Sequence, residues 1–409
     1  MVGKRSGLTW REGNKIDLLR NGGEFFPALC QAIDQAQDSV HLETYIFNLD
    51  RTGHQVLDHL RAACERGVKV RVVIDGFGSV EGAAQIVRTL DEMGAQSRVY
   101  RPEPSGLLRY VFRLSRLRRM HRKVAVVDRR IGFLGGINII DDLFDVPDDG
   151  QGPLPRFDFA VRMEGPVVQD LDTAQSMLWV RMAWRRRDNW AAFYARAKGW
   201  RLRRARAVAA ATESFPDGIR ATVLLRDNVR FRRTIESAYV NALNDAQNDV
   251  LIANSYFFPG RRLRRALKRA AARGVRVRLL LQGRVEYAVQ YRACRSMYGQ
   301  VLSDGIEIYE YMPSYLHAKV AVIDCCSMVG SSNMDPFSLL LAREANVFID
   351  DAAFSDTLRK ALEDELGSST RHVTLESRQE CSAWDRLLDA VSFYALRFGV
   401  ALTGKSSLY

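Results

Sequence analysis

The sequence predicts an α/β protein made of two copies of one unit. Three observations carry this: the chain repeats itself at a spacing of about 200 residues, apolar strands alternate with amphipathic helices in each copy, and both copies reach the same pattern of His, Lys, Asp and Asn. So long a period describes a duplicated domain rather than a solenoid. Two like halves should face each other across a pseudo-two-fold axis, with the ligand site at their interface.

The elements follow in order. Residues 15–22 are echoed by 221–228. A helix ends near Gln37 in one copy and Gln247 in the other, and Ala36-Gln-Asp-Ser-Val40 returns as Ala246-Gln-Asn-Asp-Val250. Apolar runs at 40–47 and 250–258 read as buried strands. The next helix carries its apolar face at Val56, Leu57, Leu60, Ala63 and Cys64, or at Leu263, Ala266, Leu267 and Ala270. It should stop at Gly67 or Gly274, where glycine permits the left-handed C-cap. Second strands follow at 68–74 and 275–281.

The 409 residues are 47% hydrophobic and 26% charged, which excludes a disordered or collagen-like chain. Sixty Lys and Arg against 48 Asp and Glu give a net charge of +12, so the expected partner is anionic: nucleic acid or an anionic membrane face. Six scattered cysteines form no C-x-x-C pair and read as reduced, buried thiols of a cytosolic protein. Residues 1–15 lack the apolar segment of a signal peptide. No stretch reaches the ~18 apolar residues of a spanning helix; residues 390–402 come nearest and are broken by Arg397.

The chemistry lies in the third shared feature. His121-x-Lys123-x4-Asp128 is matched by His317-x-Lys319-x4-Asp324, and Gly135-Gly136-Ile137-Asn138 by Gly330-Ser331-Ser332-Asn333. The intervening residues are β-branched and apolar, so each motif is a strand with His and Lys on one face. An imidazole beside an ammonium suits a phosphate: the lysine holds the anion while the histidine attacks or protonates it. Asp128 and Asp324 complete the catalytic motifs, but their opposite parity assigns them to orienting backbone or loop. Asn138, Asn333 and the Gly- or Ser-rich turn with Ser331 can bind phosphate oxygens. Each histidine needs a partner on its far nitrogen, for which Asp158 and Glu344 are the candidates. Asn138 lies one residue further from its histidine than Asn333 does, a difference that a loop must absorb.

The doubled motif with its Gly/Ser-x-Asn tails resembles the phospholipase D superfamily. Glu43-Thr-Tyr-Ile-Phe47, Phe257-Phe-Pro-Gly260, Met120-His-Arg-Lys123 and Val329-Gly-Ser-Ser-Asn-Met-Asp-Pro336 resemble bacterial cardiolipin synthases, closest to the cardiolipin synthase B class without N-terminal transmembrane helices. The likeness spans residues 8 to 370. It implies two pseudo-symmetric halves, each a mixed β-sheet flanked by helices, with the active site at their interface. It also implies phosphatidyl transfer without metal or cofactor: one histidine forms a covalent phosphohistidine, and the other protonates the leaving alkoxide and then deprotonates the incoming alcohol. By resemblance His121 is the nucleophile and His317 the acid/base, with the reverse left open by the pseudo-symmetry. Lys123 and Lys319 would neutralise the phosphate oxygens.

The expected organisation is an N-terminal segment (1–14), a first half (15–175), a basic Trp-rich linker (176–220), a second half (221–370) and an amphipathic C-terminal tail (371–409). Three segments interleave arginine with apolar or aromatic residues, as a helix lying on anionic lipid requires: 101–119, 178–206 and 384–402. Such features also suit single-stranded nucleic acid; the tryptophans favour lipid. Helix 260–273 is read as a solvated basic face. The leading expectation is a cardiolipin synthase on the cytoplasmic face of the bacterial inner membrane, peripheral, acting on anionic phospholipid (phosphatidylglycerol, with cardiolipin as product) and not on nucleic acid. The alternatives are a phospholipase D or nuclease with water as acceptor, and a non-catalytic lipid-binding module.

Overall fold

The computed structural model describes residues 8–104, 118–150, 152–185, 213–227, 231–368 and 370–401. The first half contains β1 (Arg11–Arg20), α1 (Asn21–Asp34), β2 (Ser39–Thr44), α2 (Arg51–Glu65), β3 (Lys69–Asp75), α3 (Ala83–Glu92), β4 (Gln96–Tyr100), β5 (Lys123–Val127), β6 (Ile131–Gly135), β7 (Phe159–Glu164) and α4 (Val168–Arg185). The second repeats the plan: β8 (Ile219–Arg226), α5 (Thr234–Asp245), β9 (Asp249–Asn254), α6 (Arg261–Ala272), β10 (Arg276–Gln282), α7 (Ala288–Arg295), α8 (Tyr298–Ser303), β11 (Glu307–Tyr311), β12 (Lys319–Ile323), β13 (Cys326–Gly330), α9 (Pro336–Leu340), β14 (Glu344–Asp350) and α10 (Ala352–Ser368). After it come β15 (Thr370–Val373), α11 (Leu375–Gln379) and α12 (Ala383–Ala401).

The strand order states the duplication. From the centre outward the first half runs β1-β7-β6-β5-β2-β3-β4 and the second β8-β14-β13-β12-β9-β10-β11, joined where β1 pairs with β8, with β15 added at one edge. Each half is mixed: β2-β3-β4 and β9-β10-β11 are parallel, and the other neighbours antiparallel. Each half has its own core beneath its helices, in which Leu57 and Leu60 of α2 pack with Val70 and Val72, and Leu263 and Leu267 of α6 with Val277 and Leu279. A third core lies between the halves, where Val124, Val126 and Leu134 meet Val320, Val322 and Val329. Both faces of these strands are therefore buried, which is why they read as unbroken apolar runs.

Local signals acted as the sequence implies. Gly67 and Gly274 take φ of 85° and 90° after α2 and α6. The basic residues of α6 face outward over buried Leu263, Ala266, Leu267 and Ala270. The extra residue of the first copy sits in its β-hairpin: three residues separate the paired Val127 and Ile131, whereas two separate Ile323 and Cys326. Strands β2 and β9 stop at Thr44 and Asn254, short of the apolar runs; after β2 the Thr44 hydroxyl turns the chain by donating to the Ile46 carbonyl at 2.7 Å.

Other boundaries differ from the expectation. Residue 175 lies within α4, and residues 186–212 of the linker segment lie outside the described residues. The C-terminal segment is no separate tail: β15 extends the second sheet and α12 packs along α7. The cysteines are free but not all buried, since Cys325 is exposed.

Candidate active site

The two motifs meet because each strand begins by pairing with the other half. Met120 bridges to Arg343, and the His121 amide donates to the Arg343 carbonyl at 2.9 Å; Leu316 bridges to Phe157, and the His317 amide donates to the Phe157 carbonyl at 2.9 Å. A buried polar side chain fixes each residue preceding a histidine: Asp75 accepts from the Met120 amide at 2.8 Å, and Gln282 from the Leu316 amide at 2.5 Å. These two occupy the same place in the repeat, at the ends of β3 and β10.

The orienting carboxylates are exchanged between halves. His121, on the first copy, directs Nδ1 at Glu344 of the second, 3.1 Å from Oε1, and at the Ser331 carbonyl, 3.1 Å away. His317 directs Nδ1 at Asp158 of the first half, 2.6 Å away. A carbonyl only accepts, so His121 carries its proton on Nδ1 and presents the Nε2 lone pair. Burial drives His121 below the usual histidine range and His317 well below it, with Lys319 and Lys123 adding to the fall at His317. Burial pushes Asp158 up to about 6.

Lys123 and Lys319 are nearly or fully enclosed, 4% and 0% exposed. Each ammonium turns to its own histidine's main chain: Lys123 donates to the His121 carbonyl at 2.9 Å, and Lys319 to the His317 carbonyl and to the Ser255 hydroxyl at 3.3 Å. Among the described residues neither forms a direct ion pair, and the carboxylates of Glu344 and Asp158 act on them from further away. Desolvation accordingly brings Lys123 down to about 7 and Lys319 to about 8. Two desolvated ammonium groups, each acting on both imidazoles, form a site that an anion completes.

The remaining candidate residues divide. Asp128 and Asp324 are not in the cleft. Each ends its strand at φ 50° and accepts three backbone amides, of Gln37, Asp38 and Ser39 or of Gln247, Asn248 and Asp249, at 2.8 to 3.0 Å. They fasten the start of the neighbouring strand, the backbone-orienting part that their parity implies, and stand apart from the catalytic groups although they belong to the motifs. Asn138 accepts from the Ile46 amide at 3.1 Å, whereas the Asn333 side-chain oxygen is buried without a partner among the described residues. Ser331 is committed to Glu344, to which its hydroxyl donates at 2.5 Å.

The sequence assigned no chemical role to several neighbours. The Tyr45 ring lies 4.8 Å from the His121 ring and 5.3 Å from the Lys123 ammonium. Its counterpart after β9 is Ser255, so the two histidines have different surroundings. Arg122, between His121 and Lys123, points to the opposite face and pairs with buried Glu43 at 2.7 Å. Beside His317, Glu286 accepts from the Tyr256 hydroxyl at 2.8 Å and from Arg156 at 2.9 Å. Asp75 and Gln282 could have been found from the repeat; the Glu286 group breaks the symmetry and left no such signal.

The three lipid-facing candidates fare differently. Residues 105–117 and 186–206 lie outside the described residues. Trp179 is turned inward, between the guanidinium groups of Arg98 (4.0 Å) and Arg71 (5.3 Å), which corrects its reading as a lipid anchor. On α12, Trp384, Leu387, Val391, Tyr394 and Phe398 form an outward stripe, each 51 to 67% exposed. No described helix is long and apolar enough to cross a membrane. Of possible metal ligands, Cys325, Cys326 and Asp350 lie together at the end of β12 remote from His317.

The family model described as cardiolipin synthase, PLD-like domain, matches residues 29–147 and 239–366. Cardiolipin synthase B of Shigella flexneri is 38% identical over 404 residues, covering 97% of this chain and 91% of that protein. Cardiolipin synthase B of Escherichia coli K12 is 37% identical with the same coverage. A phosphatidylserine synthase from Haemophilus influenzae shares the fold, with a TM-score of 0.66 over 98% of this chain and 97% of that one at 14% identity.

Proposed function

The chain belongs to the cardiolipin synthase family of phospholipase D-like proteins, and on that premise we propose that it moves a phosphatidyl group from phosphatidylglycerol, or another phospholipid, to a hydroxyl of a second phosphatidylglycerol. It is an enzyme of phosphatidyl transfer. The observation that carries this reading is the pair of buried ammonium groups, Lys123 and Lys319, each beside its own motif histidine and acting on both, without a direct ion pair among the described residues. A phosphodiester anion supplies the missing charge, and its presence raises the pKa of both lysines and both histidines.

His121 Nε2 attacks phosphorus and the bond to the leaving alkoxide breaks, the alkoxide taking a proton from the His317 imidazolium. The acceptor hydroxyl then gives its proton to His317 and attacks phosphorus, and the P–Nε2 bond breaks. The Ser331 carbonyl and Glu344 favour this assignment by holding His121 in the tautomer a nucleophile needs. The His317 imidazolium becomes accessible when the diester anion offsets the charges of Lys319 and Lys123 that depress it. Lys123 and Lys319 stabilise charge on the phosphoryl oxygens without a bound cation.

The net charge of +12 and the outward stripe of α12 support peripheral docking on anionic lipid, at the cytoplasmic face of the inner membrane. The test is incubation with phosphatidylglycerol vesicles in EDTA. Cardiolipin with release of glycerol is expected. Phosphatidic acid alone would show a hydrolase, and dependence on added divalent metal would overturn the chemistry.

A further inference from the structure

The two halves agree in strands, histidines, lysines and crossed carboxylates, but they differ at the residues that follow β2 and β9. The two residues after β2 are Tyr45 and Ile46; their counterparts after β9 are Ser255 and Tyr256. The change from Tyr45 to Ser255 removes an aromatic wall from the second half and leaves a small hydroxyl on Lys319. The change from Ile46 to Tyr256 introduces a phenol that donates to Glu286. Arg156, from the first half, holds the other oxygen of that carboxylate.

A small hollow, open to solvent and with room for about one water-sized group, is lined by Ser255, Tyr256, Gln282, Glu286 and Tyr287 near its mouth, with Leu281, Cys294 and Tyr298 also in its wall. Ser255 contacts Lys319 and Gln282 holds the residue before His317, so this hollow adjoins the acid/base histidine. Glu286 acts electrostatically on both His317 and Lys319. A carboxylate oxygen accepts two hydrogen bonds, and Oε1 and Oε2 have spent one each on Arg156 and Tyr256 among the described contacts. The rest can accept from hydroxyl groups. Asp158 and Glu344 are taken up by the histidines, whereas Glu286 has no histidine partner among the described contacts and suits a place where a hydroxyl must be held.

The geometry points to an acceptor-alcohol subsite at Glu286, framed by Tyr256 and Arg156, that binds a 1,2-diol through the hydroxyl next to the reacting one. This rests on the phosphatidyl-transfer reading and deepens it. The diol's primary hydroxyl loses its proton to His317 and attacks phosphorus as the P–N bond to His121 breaks, while its neighbouring hydroxyl donates to Glu286. Glycerol head groups fit; simple alcohols leave Glu286 without that hydrogen bond.

Competition between two soluble acceptors tests this. Wild-type protein on phosphatidylcholine/phosphatidylglycerol vesicles receives 1,2-propanediol and 1-propanol at equal concentration, and the two phosphatidyl-alcohol products are measured. A preference of about tenfold or more for the diol is expected, since a site built to bond a hydroxyl discriminates against the analogue lacking it. Glu286→Ala and the conservative Glu286→Gln should bring the ratio towards one, and Tyr256→Phe to a value between. The ratio is independent of total activity, so partial loss of enzyme does not blur it. A ratio unchanged in folded Glu286→Ala and Tyr256→Phe overturns the subsite alone. Absence of any phosphatidyl-alcohol from the wild type, with donor untouched, overturns the transfer reading.

Discussion

Replacing Gly136 by alanine tests the crossed arrangement of the histidine partners most directly. Gly136 and Ser331 hold the same place in the two copies, and so do Asp158 and Glu344. A Cβ on Gly136 would stand 2.2 Å from Oδ1 and 2.6 Å from Oδ2 of Asp158. Gly136 has no left-handed φ, so the backbone itself admits a side chain and the obstacle is the carboxylate. To restore van der Waals contact the carboxylate must withdraw by about 1 Å, which breaks its 2.6 Å bond to His317. Loss of a charge-assisted hydrogen bond costs about 1.5–3 kcal/mol, equivalent to about 10- to 150-fold in kcat if it falls on the transition state. The second half solves the same problem with a side chain present: Glu344 reaches one methylene further and takes the Ser331 hydroxyl. Gly136→Ser together with Asp158→Glu should therefore recover activity that either single change loses. The assay is cardiolipin formation from phosphatidylglycerol vesicles, with the four corners of the double-mutant cycle compared. Activity within threefold of wild type in Gly136→Ala, or a double variant no better than the poorer single one, would refute the reasoning.

Three further outcomes follow from the same geometry. His121→Ala should abolish transfer and His317→Ala should accumulate a phosphatidyl adduct visible in intact mass; near-full turnover of His121→Ala would remove it as nucleophile. Lysines held at about 7 and about 8 are ammonium below those values and neutral above, so kcat/KM should fall as pH rises through this window; Lys123→Arg should shift the alkaline limb towards the Lys319 value, and a flat profile would show that neither ammonium binds the diester. Replacing Trp384, Leu387 and Tyr394 by serine should cut sedimentation with anionic vesicles at least tenfold, since each large apolar side chain withdrawn from lipid forfeits about 1.5–3 kcal/mol; unchanged sedimentation would leave α12 without that role.

Pattern in one dimension was enough for much of the fold. The strands around His121 and His317 are buried on both faces and so are uninterrupted in apolar character, while Gly67 and Gly274 mark helix ends through a φ that only glycine adopts cheaply. Spacing was less informative at the end of β2, where Thr44 bonds two residues ahead and shortens an apolar run that looks like continuous strand. Trp179 shows the same limit: composition marks it as an interfacial residue, but its contacts with Arg71 and Arg98 are made by strands distant in sequence.

By itself the sequence determined the duplication, the order of elements in each copy, the family, and the types of groups that do the chemistry, because each is written in residues a few positions apart. Only the tertiary structure decided that Asp158 serves His317 and Glu344 serves His121, and that Glu286 stands beside one histidine and not the other. Those facts depend on two sheets meeting face to face. A carboxylate's role is set by what lies within about 3 Å of it, and the histidines' carboxylate partners come from the opposite copy.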